Sequence, residues 1–400
     1  MQSKLKHLLI TTTEDPFNLK SWSGIPFSLR EALERQVDRV TVFKPGPTSR
    51  NPLDVAKRFW YGGTPPKYPL WMTAASLRKN ARELKAEIER TNPDAVLGIL
   101  AKPLVYLREP GRPVFLFADS AFQSFQDKYK GTIEENIRTA DYARNEADVA
   151  RRIDGVCLGS RWAVEDAARV YGKEFPGVDF AGKLHVTPLG ANWRPTMSRE
   201  AVLARAARRD WDQIRLLYLG VDWVRKGGPL AVEVATGLRD AGYKVRLDVV
   251  GCRPELSADV MDVVTVHGPL YRTDPEQAAV LEELFLRSHF LVVPTLAECY
   301  GIVFAEAQAF ALPPVSRAVD ALPTIVVDGE TGLLVDRAAP ASVYIERILK
   351  LRNDPAGYLR MATRARDRFE SLLNWDKCAE EIVRLMSEKM ELSEAKRAKT

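Results

Sequence analysis

Cysteine and histidine are scarce in this sequence, with four residues of each among 400. The cysteines, Cys157, Cys252, Cys299 and Cys378, are widely separated, and none forms a Cys-x2-Cys pair. This spacing argues against a zinc site and against a disulfide framework, and it fits the reducing environment of the cytoplasm. The histidines are not grouped with carboxylates at metal-ligand spacing, so we expect no bound metal.

Long hydrophobic runs are also missing, since no apolar stretch approaches the ~20 residues that a membrane-spanning helix needs. At the N-terminus, Lys4, Lys6 and His7 precede a short apolar run that continues into threonines, which is not the pattern of a signal peptide. We therefore expect a cytoplasmic protein. The net charge of +5 is too mild to select anionic substrates over an acidic membrane surface.

Short apolar runs alternate with helical patterns along the whole chain, which predicts an α/β protein with two doubly wound domains. A length of 400 residues can bury more than one core. We assign residues 1–192 to the first domain, 213–372 to the second and 373–400 to a final helical segment. Late in the second domain we expect short strands near Val315 and Ile325, followed by a turn at 328–332.

One stretch, residues 297–306, has the composition of a ligand-binding turn. It follows the apolar run 289–294, which is typical of a buried parallel strand, and it leads into a helical pattern at 302–310. Glu298 lies on the loop, Glu306 lies in the second turn of the helix, and Gly301 separates them. Free amides at a helix N-terminus favour an anion, and glycine lets the backbone approach a ligand closely.

Two readings of this stretch remain open. Carboxylates repel a phosphate, so Glu298 and Glu306 are better suited to accept hydrogen bonds from hydroxyl groups on either side of it. Hydroxyl-bearing groups joined through phosphate describe a nucleotide sugar. Alternatively, Glu298 only interacts with the helix dipole and Glu306 is solvated.

A second candidate segment contains Arg225 and Lys226 directly before Gly227, Gly228 and a predicted helix. Two cations and free helix amides are suited to a diphosphate. The glycine spacing differs from that of a Walker A loop. The alternative is that both bases are solvated residues of a turn.

The first half of the chain contains two candidate ligand-binding residues, Gly24 and Asp119. Gly24 lies in a loop between the first predicted strand and helix, as in a mononucleotide-binding unit, although it could simply permit a turn. Asp119 follows the predicted strand 113–117, and ligands of open α/β sheets bind beyond the carboxyl ends of the strands. Asp119 could therefore accept a hydrogen bond from a sugar hydroxyl, or it could cap the next helix.

Basic residues and aromatics are interleaved in residues 50–92. This composition could mark a surface that contacts a membrane or, less plausibly, nucleic acid. More often it indicates an amphipathic helix followed by a partly buried aromatic loop. We expect no nucleic-acid partner and keep peripheral membrane contact as a possibility.

The ordered set of motifs SWSGIP, LGSRWAVEDAARVYG, KLHVTPLGANW, GVDWVRKGG, VVGC, VHGPL, ECYGIVFAEA and DGETGLLV resembles that of the retaining GT-B glycosyltransferases of family 4, the glycosyl transferases group 1. It covers most of the chain in the family's order. The resemblance implies two Rossmann-like domains that face each other across a cleft, with a C-terminal helix that crosses back to the first domain. It implies neither a metal nor a cofactor.

The resemblance also implies roles for individual residues. Donor binding would involve Gly24, Arg225, Lys226, Glu298, Tyr300, Gly301, Ile302, Val303 and Glu306. Catalysis would depend on Lys226, Glu298 and Asp119. Trp60, Tyr61 and Trp71 are candidates for acceptor contact. The sequence departs from the family twice, because Val221 replaces a common arginine and Asp119 replaces a common histidine.

The resemblance implies a retaining hexosyltransferase that moves a sugar from a UDP- or GDP-linked donor to a hydroxyl of a glycan, lipid or small molecule. It also implies front-face transfer, which needs no enzymic nucleophile, so positioning and electrostatics would supply the catalysis. A nucleotide-sugar epimerase, a phosphorylase of the same fold and a non-catalytic sugar- or nucleotide-binding protein remain alternatives. The base, the sugar and the acceptor are left open.

Overall fold

The structure, a computed structural model, describes residues 5–46, 48, 51–61, 69–129 and 139–397. The chain divides into two compact units, of which the first contains residues 1–189 and 375–400 and the second contains residues 190–374.

The first unit is built on a six-stranded sheet with the strand order β2-β1-β3-β4-β5-β6, in which every pairing is parallel. Its strands are β1 His7–Thr12, β2 Arg39–Phe43, β3 Ala95–Ile99, β4 Val114–Ala118, β5 Gly155–Leu158 and β6 Leu184–Val186. Its helices are α1 Ile25–Glu34, α2 Pro52–Tyr61, α3 Ala74–Thr91, α4 Phe122–Lys128, α5 Thr139–Arg152 and α6 Arg161–Glu174. Strands β3, β4 and β5 are buried along their whole length, as their continuous apolar runs predict.

The second unit repeats this architecture with the strand order β12-β11-β10-β7-β8-β9, again with parallel pairings. Its strands are β7 Ile214–Leu219, β8 Val245–Val250, β9 Val264–Gly268, β10 Phe290–Val292, β11 Pro314–Arg317 and β12 Leu333–Val335. Its helices are α7 Arg199–Ala207, α8 Gly228–Asp240, α9 Pro275–Arg287, α10 Ile302–Ala309, α11 Leu322–Ile325, α12 Ala341–Arg352 and α13 Pro355–Ser371. The two sheets confirm the predicted pair of doubly wound α/β domains.

One local expectation is wrong, because the strand placed near Ile325 is the short helix α11. Pro323 lies in the first turn of that helix, where proline is well tolerated because the amide it lacks has no intrahelical partner. The strand comes later, at β12, whose Val315↔Leu333 register pairs it with β11. The turn at 328–332 is confirmed, and Asp328 forms an isolated bridge with Gly332.

The last helix, α14 Trp375–Arg397, belongs to the first unit although it follows the second in the chain. Trp375 is buried, and its ring lies 6.4 Å from that of Phe117 on β4. The Asp376 carboxylate accepts a hydrogen bond of 2.6 Å from Arg35. Because the ion pair is half exposed, the burial of Trp375 is the larger contribution to the docking of this helix.

Both sheets place loops together where the strand order reverses. In the second unit β7 and β10 are neighbours, and in the first unit β1 and β3 are neighbours, so the loops after these strands emerge side by side. Such switch points are the usual ligand sites of open α/β sheets. Within the described residues, no helix combines the length and apolarity needed to cross a membrane.

Candidate functional site

The loop after β7 presents Arg225 and Lys226 at the N-terminus of α8. Arg225 is held by Asp222, whose carboxylate accepts bonds from the Arg225 amide at 3.1 Å and from Nε at 3.2 Å. Gly227 is the N-cap of α8, with φ of +75°. A Cβ at this position would lie 2.1 Å from the carbonyl oxygen of Pro294, so only glycine fits where the two loops meet.

The loop after β10 is hydrogen-bonded to the loop after β7. The Leu296 amide donates to the carbonyl of Arg225 at 2.8 Å, and Arg225 Nη1 donates to the carbonyl of Ala297 at 3.0 Å. The Thr295 hydroxyl also donates to the Ala297 carbonyl, at 3.0 Å. Hydrogen bonds therefore join the two loops at the switch point of the second unit. These loops carry Arg225, Lys226 and Glu298.

Lys226 and Glu298 form an ion pair in which Nζ of Lys226 contacts Oε2 of Glu298. Their side chains are 13% and 7% exposed, and Nη1 of Arg225 lies 3.8 Å from the same carboxylate oxygen. The Glu298 amide donates to the carboxylate of Asp320 at 3.0 Å. The interpretation of Arg225 and Lys226 as solvated bases is wrong, because both are partly buried and both face an acidic side chain.

Gly301 opens helix α10 with φ of +88° and without a side-chain cap. A Cβ on Gly301 would lie 2.8 Å from Cγ of Glu298 and 2.7 Å from the ring of Phe304. The turn thus requires glycine, and the amides of Ile302 and Val303 occupy the first turn, where backbone donors have no intrahelical acceptor. Tyr300 and Val303 are themselves buried, at 3% and 5% exposure, and their side chains anchor the turn.

Glu306 is buried, with 8% exposure, so the interpretation of Glu306 as a solvated side chain is wrong. Burial raises the pKa of Glu306 to about 7, against the opposing effects of Arg272, a hydrogen bond from the Trp193 amide, and Lys226. A buried carboxyl that titrates near neutral pH is common at functional sites.

The raised pKa of Glu306 predicts a pH effect on stability. Since the folded state holds this proton up to about pH 7 while a free glutamate loses it near 4.5, the free energy of unfolding falls as pH rises through that interval. Glu306→Gln retains an acceptor for the Trp193 amide and does not titrate. We expect the variant to gain up to about 3 kcal/mol relative to wild type between pH 5 and pH 8.

Calorimetric melting of both proteins at the two pH values measures this difference. Glu346→Gln, at an exposed position on α12, is the matched control and should track wild type. Equal pH dependence in wild type and Glu306→Gln would show that Glu306 is ionised throughout.

In the first unit, Gly24 is the N-cap of α1 with φ of +82°. It ends a run of left-handed backbone, since Trp22 and Ser23 have φ of +41° and +57°. Non-glycine residues adopt such angles at a cost of about 1–2 kcal/mol each. Glycine at position 24 avoids that cost at the third residue of the run, and its contact with a donor stays a prediction.

Asp119 follows β4 but does not cap helix α4. The N-cap is Ala121, and the Phe122 amide donates instead to Oε2 of Glu146, a buried residue of α5, at 2.7 Å. The capping interpretation of Asp119 is therefore wrong. Asp119 lies at the carboxyl end of its strand, as predicted, and its role in catalysis stays a prediction.

A cavity of about 530 Å³ lies at the switch point of the first unit. Its lining residues come from the ends of the strands and from the neighbouring helices: Thr13, Glu14, Trp22, Trp71, Leu100, Ala101, Lys102, Asp119, Ser120, Phe122, Phe125, Tyr142 and Glu146. Of the aromatic acceptor candidates, Trp71 lines this cavity, Trp60 is 88% exposed on α2, and the side chain of Tyr61 lies outside the described part of the chain.

Several residues of these sites were not predicted. Asp222, Asp320 and Trp193 contact Arg225, Glu298 and Glu306 in the second unit, and Glu146 and Lys102 line the cavity of the first. Asp222 could have been found, because an aspartate three residues before Arg225 can bond its amide. The others are distant in sequence from their partners, and no local pattern marks them.

None of the described His, Cys, Asp and Glu side chains come together in threes or more at a place that could hold a metal ion. Of the cysteines, Cys157, Cys299 and Cys378 are buried and Cys252 is partly buried, and none of these four described residues forms a disulfide bond.

Comparison with known proteins connects the second unit to a family. Residues 213–354 match the family model described as Glycosyl transferases group 1. The D-inositol 3-phosphate glycosyltransferase of Xylanimonas cellulosilytica is 30% identical over 254 residues, 58% of this chain and 57% of that protein. The Streptomyces avermitilis protein of the same name is 33% identical over 218 residues, 50% of this chain and 45% of that protein. The chain spans about half the length of the curated relatives it matches.

Solved structures extend the likeness to the whole fold. Sucrose-phosphate synthase from Thermosynechococcus elongatus matches with a TM-score of 0.66 and 21% identity, over 97% of this chain and all (100%) of that one. Anabaena Alr3699/HepE, solved in complex with UDP and glucose, matches with a TM-score of 0.59 and 14% identity, over 96% and 100%. The two parallel sheets and these neighbours identify the fold as GT-B, and residues 213–354 of the second unit are similar to the glycosyl transferases group 1.

Proposed function

We propose that this chain is a retaining glycosyltransferase that transfers a sugar from a nucleotide-diphosphate donor to a hydroxyl group. The observation that carries the proposal is the ion pair of Lys226 with Glu298 beside the uncapped N-terminus of α10. It sets a cation and helix amides, which suit a diphosphate, next to carboxylates that suit hydroxyls. The family match and the UDP and glucose bound to Alr3699/HepE support this reading.

In the proposed reaction, the bond between the anomeric carbon and the diphosphate oxygen breaks, and a bond from the acceptor oxygen forms on the same face. The acceptor proton passes to the departing phosphate oxygen. Lys226 and the amides at Ile302 and Val303 would stabilise the charge that develops on the diphosphate. Arg225 would supply the second cation, since Val221 leaves the family's arginine position without one.

The carboxylates would hold the hydroxyls of the donor. Glu298 would accept from the transferred sugar and Glu306 from the ribose. Ligand binding would then redistribute the contacts of Lys226, which pairs with Glu298 in the free protein. Glu306 keeps acceptor capacity beyond its bond to the Trp193 amide, because a carboxylate has about four lone-pair sites.

The donor is tested by thermal shift with UDP, GDP, ADP and their sugars. A ligand at ~100–1,000 times its dissociation constant should stabilise the chain by about 3–4 kcal/mol. Nucleotide release with and without acceptor, and the anomeric configuration of the product by NMR, then separate a retaining transferase from an epimerase or phosphorylase. A chain that binds no nucleotide and no nucleotide sugar would refute the proposal.

We also propose peripheral contact with an anionic membrane through α2. Leu53, Phe59 and Trp60 are 73%, 85% and 88% exposed on this helix, next to Lys57 and Arg58. Exposed aromatics beside cations suit a membrane interface. Arg50, Lys67 and Tyr68 of the same predicted surface lie outside the described residues.

Flotation with anionic liposomes at low salt tests the membrane contact. We expect wild type to float with the liposomes and the double variant Phe59→Glu, Trp60→Glu to remain below them. Phe17→Glu, at another exposed aromatic, is the control and should float. Failure of wild type to bind would exclude α2 as a docking surface.

A further inference from the structure

The cavity of the first unit is placed where a second substrate would enter. It opens at the carboxyl ends of β1, β3 and β4, since Glu14, Lys102 and Asp119 all follow those strands within three residues. Its volume of about 530 Å³ is within the ~300–1,000 Å³ typical of small-molecule sites. The family model covers residues 213–354 and does not reach this cavity, whereas the sequence analysis named two of its lining residues, Trp71 and Asp119, as candidate substrate contacts without giving the class of substrate.

One wall of the cavity is a packed set of aromatic rings. Trp71 and Tyr142 meet edge to face at 5.5 Å, and Phe122 meets the same tyrosine at 4.6 Å and 75°. These contacts fix the rings before any ligand arrives. Flat aromatic faces bury the apolar C–H face of a sugar or polyol ring while leaving its hydroxyls free.

The charged groups of the lining are predominantly acidic. Glu14, Asp119 and Glu146 face the cavity, and Lys102 is the single cation among the lining residues described. The Lys102 ammonium lies 4.5 Å from the centre of the Trp71 ring, so the ring face already interacts with this charge. A phosphate that entered the cavity would therefore meet the carboxyl groups of Glu14, Asp119 and Glu146 but the ammonium group of Lys102 alone among the described lining residues.

Glu146 is the most deeply placed of these acids. It is 3% exposed, and one carboxylate oxygen accepts from the Phe122 amide. Burial raises the pKa of Glu146 to about 8, against the hydrogen bond from Phe122, and Asp119 raises it further. Glu146 therefore presents an uncharged carboxyl at neutral pH.

We propose that this cavity binds the acceptor, and that the acceptor is an uncharged sugar or polyol rather than a phosphorylated one. The proposal rests on the proposed function for its reaction, but not for its binding preference. It sets this chain apart from the relatives that it matches, which are named for D-inositol 3-phosphate. The Trp71, Tyr142 and Phe122 rings stack on the ligand, and Glu14 and Asp119 accept its hydroxyls.

Saturation-transfer NMR on the full chain tests the preference without any donor. The probes are matched pairs, myo-inositol with D-inositol 3-phosphate and fructose with fructose 6-phosphate. We expect the uncharged member of at least one pair to bind at least ten times more tightly than its phosphate ester. An equal or stronger signal from the phosphorylated member of the pairs would overturn the proposal, as would the absence of binding by every probe.

Two variants locate the binding. Trp71→Ala should abolish the signal of the neutral probe, whereas Leu392→Ala, at an exposed position on α14, should retain it. Asp119→Asn is nearly isosteric and should reduce the discrimination against phosphate by at least threefold, which covers the case in which Trp71→Ala does not fold. Neutral binding that survives Trp71→Ala in a folded protein would place the ligand elsewhere.

The two proposals fail separately. Nucleotide binding is read by thermal shift, and the acceptor preference is read by NMR without nucleotide. If no nucleotide binds but the neutral probe does, the proposed transferase is refuted and the cavity remains a sugar-binding site. If a nucleotide binds but the neutral probe is not preferred, only the acceptor assignment is refuted.

Discussion

Lys226→Ala should lower the rate of sugar transfer by at least about 100-fold, the usual effect of removing one preorganised charge from a transition state. The physical reason has two parts. The departing diphosphate loses its nearest proposed cation, and Glu298, 7% exposed, loses the ion pair with Lys226, while Nη1 of Arg225 stays 3.8 Å from its carboxylate. The remaining carboxylate would repel the same phosphate that the lysine attracted.

The companion variant Glu298→Ala separates these effects. It frees Lys226 for the diphosphate but removes the proposed acceptor for the sugar hydroxyls, so turnover should fall while UDP or GDP binding is kept. Lys226→Ala should instead weaken nucleotide binding as well. Steady-state rates and calorimetric titration with the nucleotide measure the two quantities.

Lys350→Ala is the matched control, since this exposed lysine lies on α12 outside the site. It should behave as wild type in both measurements. Circular dichroism establishes that each variant is folded. Near-wild-type turnover in both Lys226→Ala and Glu298→Ala would remove these residues from the proposed mechanism.

Gly227→Ala should destabilise the chain by about 3 kcal/mol or more, because it combines a strained backbone angle with a steric clash. Gly227 has φ of +75°, and the new Cβ would lie 2.1 Å from the carbonyl oxygen of Pro294. To relieve the overlap, the loops after β7 and β10 must separate. That movement would strain the hydrogen bond from the Leu296 amide to the Arg225 carbonyl.

Gly242→Ala is the control for the backbone angle alone. Gly242 has φ of +90°, but apart from Gly242 and its two chain neighbours no atom of the described residues lies within 4 Å of the position that an alanine methyl group would take. This variant should cost roughly 1–2 kcal/mol, the effect of the left-handed angle without a clash. For a unit of this size the melting temperature should fall by about 6–12 °C in Gly227→Ala and about 2–8 °C in Gly242→Ala.

Differential scanning calorimetry compares the two variants directly. A fall in melting temperature of the same size in both would mean that the loops at the switch point adapt freely. The proposed diphosphate site would then lack the rigidity that preorganised stabilisation requires.

Sequence patterns predicted the alternation of strands and helices in two α/β domains. The apolar run 289–294 marked β10, and the glycines at 227 and 301 marked the starts of α8 and α10. The misplaced strand at Ile325 arose because a short apolar run with an adjacent proline is compatible with a helix as well as a strand. Its pairing with β11 identifies β12, rather than the run that ends at Ile325, as the strand.

The candidate site was predictable where its parts lie within one strand–loop–helix segment. The spacing of Glu298, Gly301 and Glu306 made them candidates, and the family resemblance was needed to prefer the ligand-binding interpretation over a solvated helix start. Their partners Asp320, Trp193 and Arg272 could not be predicted in this way. These residues lie elsewhere in the sequence and contact Glu298 or Glu306 only in the folded chain. The sequence also did not show that Glu306 is buried. This burial raises the pKa of its carboxyl group to about 7.

By itself, the amino-acid sequence determined the α/β class, the duplicated domain architecture and the places where glycine is needed, since all of these follow from local periodicity and backbone sterics. Tertiary structure alone decided that Lys226 pairs with Glu298 and that three strand ends and an aromatic wall enclose one cavity. The reason is that parallel strands bring together loops far apart in the chain. Their mutual distances, burial and charge therefore depend on packing across the sheet rather than on spacing along the chain.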